Sequence, residues 1–408
     1  LETAKALGAS KIVVVTAPGA QLVTDYAVKH GALTAVQEKQ LGTGHAVLAA
    51  ESQLKNFTGN VLVLFADVPL IATETLKRLL ARLENADIAA LGFRAADPTG
   101  YGRMVMEGET LSRIVEHKDA GDDIRRIDLC FAGMVAAKAK DLFALLHKID
   151  NNNAQKEFYL PDIVRLGAEA GKRAAVEVGA EDEMQGVNSR AQLSVAENSF
   201  QHIRRVAAMD SGVTLLDPAT VYFSADTVLE QDVIVGPNVF FGPNVRVRRG
   251  AEIRAFCHVE GADVGEGAII GPFARLRPGA RLAENVHVGN FVEVKNATLE
   301  KGVKANHFTY LGDASVGAGT NIGAGTITCN YDGQDKHLTE IGANVFIGSN
   351  STLVAPLKIG DGAYVGAGSV ITKTVEADAL ALGRGPQTEK PGWAARLRAA
   401  RAARKKDK

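Results

Sequence analysis

The stretch VGPNVFFGPNVRVRRGAEIRAFCHV, residues 235–259, sets an apolar residue on every sixth position: Val235, Phe241, Val247, Ile253 and Val259. After a five-residue step the stride resumes at Val264, Ile270, Leu276, Leu282, Val288 and Val294. Another short step leads to Leu299, Ala305 and Leu311, and a third to Val316 and Ile322. An interruption is expected over about 326–340, after which Ile341, Ile347, Leu353, Ile359, Val365 and Ile371 complete the series. Gly often follows the apolar residue, and a small or β-branched residue often sits four places on, as at Val239, Ala251, Ala274, Thr320, Val345, Ala363 and Ser369. More than twenty matches in register predict a hexapeptide β-helix, with one apolar residue per stride pointing inward and Gly permitting the tight corners.

That frame gives every unusual residue a direction. In the stride beginning at Ala305, His307 falls two places later, at an outward corner, so it is not a core histidine. It is either an exposed corner residue or a base in a cleft. Arg277 follows the inward Leu276 and Lys295 follows the inward Val294, eighteen residues on. If three strides close one coil, the two cations stand above one another at the ~4.8 Å spacing of neighbouring strands. Such a pair either splays into water or holds an anion between its members, most naturally a phosphate.

The rest of the chain reads differently. Residues 1 to about 188 alternate apolar runs, at 12–15, 61–65 and 89–94, with helical patterns such as 73–85. This alternation predicts a mainly parallel, doubly wound α/β layer. Residues 190–208 read as one connecting helix. The expected organisation is a Rossmann-like domain over 1–189, a linker helix over 190–212, a β-helix over 213–383 and a basic tail over 384–408. Residues 396–408 hold seven Lys/Arg against Asp407 alone; this end is either solvated or screens an anionic cofactor. The net charge of −1 gives no whole-chain pull toward nucleic acid or an anionic membrane. Three widely spaced cysteines, Cys130, Cys257 and Cys329, form neither a disulfide nor a zinc framework. No signal peptide and no membrane-spanning apolar run are found, so a cytoplasmic protein is expected. The opening LETAKALGAS reads as the back half of a helix that lacks its preceding strand, which suggests a truncated N-terminus.

Several long motifs resemble one family. LRPGA (276–280), HVGNFVEVKNA (287–297), NHFTYLGDASVGAGTNIGAGTITCNYDG (306–333) and PQTEKPGW (386–393) are similar to the bacterial bifunctional N-acetylglucosamine-1-phosphate uridyltransferase/glucosamine-1-phosphate N-acetyltransferases. So are KQLGTGHAV (39–47), DPTGYGR (97–103), IVEHKDA (114–120) and NNNAQKEFYLPD (151–162). The resemblance covers essentially the whole chain. It implies two steps of UDP-N-acetylglucosamine synthesis, and a left-handed β-helix that assembles as a homotrimer with acetyltransferase sites between subunits. It further implies small-molecule sugar phosphates and nucleotides as partners, with no nucleic acid and no membrane insertion.

By motif match, His307 is the general base that takes a proton from the substrate amine. Sugar-phosphate contacts fall on Arg277, Lys295, Tyr310, Asn321 and Asn330, with Lys336 as a further contact. Acetyl-CoA contacts fall on Ala324, Asn330, Tyr331, Ser349, Ala367 and Arg384, and donors near Ser349 hold the oxyanion. Direct transfer to the amine needs no acyl-enzyme, so Cys329 is structural. In the first half the resemblance implies UTP, N-acetylglucosamine-1-phosphate and Mg²⁺, with Gln37, Gly42, Thr43, Asp67, Gly102, Glu116 and Asn188 as the UDP-sugar-binding positions. Asp67 and Asn188 match the metal ligands.

The departures are the glycine-rich loop after the family's first strand, which has no counterpart here, Phe131 in place of the usual sugar-contacting Asn, and TAPGA without Gly-His after Thr16. Without that loop, uridylyl transfer by this chain is expected to be impaired. Two other readings remain: a pyrophosphorylase-like protein whose β-helix only assembles the oligomer, and a regulatory subunit without catalysis. The first would not need His307, Arg277, Lys295 and the NYDG segment together, and Phe131 with the missing loop favours the second for the first half only.

Overall fold

The computed structural model describes residues 1–406 and divides into two compact units, residues 1–200 and residue 201 onward. The connecting helix predicted over 190–208 is present as Arg190–Asp210.

In the first unit, β1 (Val13–Thr16) pairs in parallel with β2 (Leu33–Val36). A second sheet contains β3 (Asn60–Val63), β4 (Ile88–Arg94), β5 (Arg103–Glu107), β6 (Thr110–Val115), β7 (Leu129–Lys138) and β8 (Ala174–Val178), in the order β6-β5-β7-β4-β8, with β3 also on β7. Alternate residues of β4 and β7 feed different cores, as the period of two in a strand requires. Ile88, Ala90, Phe131, Val135 and Ala137 pack with the helices Ala139–Leu146 and Asp162–Glu169. Ala89, Leu91, Phe93, Cys130, Met134 and Ala136 pack with Leu76 and Leu79 of the helix Thr73–Ala81. Both faces of the sheet are therefore covered, which gives an α/β layer.

The pairing is less parallel than the alternation of strands and helices suggests. β4 and β8 are parallel, but the long β7 runs antiparallel to β3, β4 and β5, and β5–β6 is a hairpin. Apolar runs reveal which strands are buried; direction is set by connections that composition does not encode. The predicted helix over 73–85 ends at Ala81 and continues as a 3₁₀ turn, Arg82–Glu84.

The second unit is a parallel β-helix. All twenty-two stride residues named above are buried, none more than 5% exposed, and so are the seven residues four places on. Each stride thus sends two residues inward. Coils pair in parallel along three faces. One face runs Val235↔Ile253↔Ile270↔Val288↔Ala305↔Ile322↔Ile347↔Val365↔Ala381. A second includes Phe241↔Val259↔Leu276↔Val294↔Leu311, and the third Val247↔Val264↔Leu282↔Leu299↔Val316↔Ile341↔Ile359. Up to Ile322 the partners are 17 or 18 residues apart, because the short steps remove one residue from a coil.

The expected interruption begins later than the apolar pattern indicates. The stride continues through the strand Ile327–Cys329, where Thr328 takes the inward place at 1% exposure and pairs with Leu353. Its hydroxyl is satisfied internally: it accepts from the Gly312 amide at 2.8 Å and reaches the Gly312 carbonyl at 3.1 Å. A polar residue in an apolar column hid one stride. The insertion proper lies after it, since Val316 pairs with Ile341, 25 residues on.

The predicted basic tail is helical over Trp393–Lys406. A segment rich in Ala, Arg and Lys has high intrinsic helix propensity even where it packs little.

Candidate active site

The β-helix arranges its chemistry in columns. A residue two places after an inward residue of the first face lies at the far edge of that face in every coil. Asn290, His307, Ala324, Ser349 and Ala367 all occupy this place, on consecutive coils. The glycines beside this column let the coils close: a Cβ on Gly289 would lie 2.0 Å from the Asn306 carbonyl oxygen, and one on Gly323 2.6 Å from the Ser349 amide nitrogen. His307 is exposed, as the register predicts, and its Nδ1 lies 2.8 Å from Asn290 Oδ1. Both residues line a shallow groove of about 270 Å³ with Arg254, His287 and Asn306. Three of the positions expected to contact acetyl-CoA thus continue the His307 column, and a fourth joins them: Arg384 donates from Nη1 to the Ala367 carbonyl at 2.7 Å.

The cations stand on the second face. Leu276 pairs with Val294, so Arg277 and Lys295 are stacked on neighbouring coils. Arg277 is not left facing a like charge alone, because it donates from Nη1 to Glu293 Oε1 at 2.7 Å. That bond holds its pKa above the ordinary value. Lys336, from the inserted loop, comes beside Lys295; it and then Arg277 push the Lys295 pKa down. Asp313 offsets part of this charge. Burial alone would raise its pKa, but hydrogen bonds from Asn296 and Asn330, with Lys336 and Lys295 nearby, hold it below the usual range. Asn330 is thereby fixed at the root of the loop, and its carbonyl accepts the His337 amide at 2.8 Å. Within the loop, Tyr331 hydroxyl donates to the Gly333 carbonyl at 2.6 Å, and the His337 ring lies 2.7 Å from Asp332.

The predicted sugar-phosphate residues are therefore divided. Arg277, Lys295 and Tyr310 lie on the second face with Asn330 at its far corner, whereas Asn321 starts the first face, opposite its His307 edge. Sequence reasoning missed Asn290, Glu293 and Asp313. A signal existed for Asn290, which holds the same place in its stride as His307.

In the first unit, Gln37, Gly42 and Thr43 come together. Gln37 Nε2 donates to the Gly42 carbonyl at 3.1 Å, and Thr43 Oγ1 accepts from the Leu160 amide at 3.0 Å. Gly42 has φ +113°, and a Cβ there would lie 2.7 Å from the Phe158 carbonyl oxygen, so this close approach to the motif at 151–162 requires glycine. Gly102 sits against Glu116, whose Oε1 would be 3.4 Å from a Cβ on Gly102. Burial pushes the Glu116 carboxyl up, with Asp119 and Asp162 adding to the effect. Phe131 is 6% exposed and packs in the core. The Val187 amide donates to the Asp67 carbonyl at 2.8 Å, bringing Asp67 beside Asn188. Both are exposed oxygen donors, the ligand type Mg²⁺ takes in small number beside water and phosphate. No cluster of three or more His, Cys, Asp or Glu suited to a metal occurs among the described residues.

The chain thus joins a hexapeptide β-helix, with an imidazole on its edge and stacked cations, to an α/β layer. Residues 338–373 match the family model "Bacterial transferase hexapeptide (six repeats)", and residues 1–128 match "MobA-like NTP transferase domain". The chain is 56% identical over 409 residues to the bifunctional protein GlmU of Parvibaculum lavamentivorans, covering 100% of this chain and 90% of that one. It is 59% identical over 400 residues to that of Maricaulis maris, covering 98% and 88%. It is 51% identical over 411 residues to that of Paramagnetospirillum magneticum, covering 100% and 91%. The chain belongs to the bifunctional GlmU family. Its hexapeptide domain, a left-handed β-helix, serves glucosamine-1-phosphate acetylation, and its NTP transferase domain serves N-acetylglucosamine-1-phosphate uridylylation.

Proposed function

We propose that His307 is the general base of acetyl transfer, working in a cleft that two copies of the β-helix build together. The observation that carries this is the column of Asn290, His307, Ala324, Ser349 and Ala367 on one edge, with the Arg277–Lys295 stack on another face. The cations bind the phosphate of glucosamine-1-phosphate by charge-assisted hydrogen bonds. Acetyl-CoA runs along the column toward Arg384. Nε2 of His307 takes a proton as the amine nitrogen attacks the thioester carbon. The tetrahedral oxyanion collapses, the C–S bond breaks, and the imidazolium returns the proton to the leaving thiolate.

An exposed aromatic stack supports the second copy. Phe256, Phe273, Phe291 and Phe308 lie at one corner of four consecutive coils, with ring centroids 4.8, 5.3 and 5.2 Å apart. Each is 45–62% exposed and each has positive φ, a conformation bulky residues rarely adopt. An apolar stripe held at that cost fits burial against another copy of the chain. Phe308 adjoins His307, so the covered stripe would border the base. A homotrimer with three such clefts fits both features.

For uridylyl transfer, Gln37, Gly42 and Thr43 face the uridine nucleotide, Gly102 and Glu116 the sugar, and Asp67 with Asn188 hold Mg²⁺. The metal would neutralise charge developing on the phosphates. No helix among the described residues is long and apolar enough to cross a membrane, which fits a cytoplasmic enzyme.

The test supplies glucosamine-1-phosphate and acetyl-CoA and follows thiol release by the chain and by His307→Ala. Release is expected from the first alone. A folded, trimeric chain that releases no thiol would sink this reading.

A further inference from the structure

We infer that Asn290 is a positioning residue for the base, fixing the His307 imidazole in the tautomer whose Nε2 lone pair faces the cleft. The inference rests on His307 being the base.

The geometry is specific. Asn290 and His307 are register partners on parallel neighbouring strands, so their side chains leave the same edge one coil apart. The amide oxygen of Asn290 lies 2.8 Å from Nδ1. A carbonyl oxygen only accepts, so Nδ1 carries the ring proton and Nε2 is left as the acceptor. With the proton on Nε2 instead, two lone pairs would meet at that distance and the base would have no free site. A neutral amide does this without adding charge. A carboxylate in its place would stabilise the imidazolium and raise the ring's pKa, leaving less free base at neutral pH. Asn therefore orients the ring and keeps it a base.

The surroundings leave this contact dominant. On the next coil the column continues with Ala324, which is neither charged nor titratable. In the groove, Arg254 is occupied by Glu252 at 3.1 Å, and His287 lies at the start of the Asn290 strand. Lys304, paired with His287, begins the His307 strand at the other edge of the face. Asn290 has no positive φ, so Ala and Asp both fit its backbone.

The experiment measures acetyl transfer by the full chain across pH for wild type, Asn290→Asp and Asn290→Ala, with His307→Ala beside them. Asn290→Asp is expected to move the acid limb of kcat/KM to higher pH by about one unit, the shift that one adjacent carboxylate produces. Asn290→Ala is expected to lower kcat about tenfold with both KM values nearly unchanged, because the ring loses its tautomer preference but the binding residues stay. An unmoved acid limb in Asn290→Asp overturns the inference, as does wild-type kcat in Asn290→Ala, provided His307→Ala is inactive. An active His307→Ala instead removes the base assignment itself. Should Asn290→Ala fail to assemble, the near-isosteric Asp variant still decides through its acid limb.

Discussion

Glu293 accepts from the Arg277 guanidinium at 2.7 Å, across the boundary between two coils of the β-helix. The pair forms one side of a cation cluster that Lys295 and Lys336 complete. Arg277 is thus held in position by Glu293, which would lower the ordering cost of binding a phosphate there. Replacing Arg277 with Ala should raise KM for glucosamine-1-phosphate about 10- to 100-fold, the range for losing hydrogen bonds to a charged group. KM for acetyl-CoA should change little. Steady-state kinetics with each substrate varied in turn checks the split.

The cluster also predicts a pH effect. Lys336, and then Arg277, hold the Lys295 pKa below its ordinary value. As pH rises through that lowered value the site loses a positive charge, so KM for the sugar phosphate should climb at alkaline pH. Lys336→Ala removes the largest cause, returns the Lys295 pKa upward and should shift the climb to higher pH. The sign for stability is opposite to that of an ion pair: the unfolded chain binds this proton more tightly, so Lys295 costs stability below its folded pKa, and the cost fades as pH rises from the folded to the unfolded value. A KM profile whose alkaline climb is the same in Lys336→Ala would contradict the assignment.

Gly289 stands between the inward Val288 and Asn290. A Cβ there would lie 2.0 Å from the Asn306 carbonyl oxygen and 2.6 Å from its carbon, both backbone atoms that cannot swing away. Gly289→Ala should therefore force the coil carrying His307 outward, destabilise the domain by about 1–3 kcal/mol as overpacking does, and remove acetyl transfer. Denaturant unfolding and thiol release test the two halves of this prediction.

The phenylalanine stack predicts assembly. Phe273 lies between Phe256 and Phe291, with a neighbour on each side. Phe273→Glu should place a charge in the exposed stripe that assembly would bury, where it has no partner. The expected result is a smaller species in sedimentation, with the β-helix circular dichroism kept and acetyl transfer lost. A variant that stays trimeric would show that the stripe is not the interface.

How much of this was legible follows residue by residue. Leu276 and Val294 were predicted to pair, and their stacking of Arg277 on Lys295 followed from counting alone. His307 was predicted to point outward and does. Thr328 was not recognised as a stride residue, because a buried hydroxyl that bonds the backbone of the preceding coil looks in sequence like a loop residue. β7 was expected within a mainly parallel layer and is antiparallel to three neighbours, a matter of connections rather than composition.

By itself the sequence determined the stride, the inward column and the outward place of each candidate. In a β-helix these depend only on local periodicity, and one apolar residue per six with small corners leaves a single register. The tertiary structure decided which side chains meet. Asn290 reaches His307, Glu293 reaches Arg277 and Lys336 returns to Lys295 only because coils of 17, 18 or 25 residues close at those positions. Such contacts depend on small steps in coil length and on side-chain rotamers, which a repeating pattern of apolar residues does not specify.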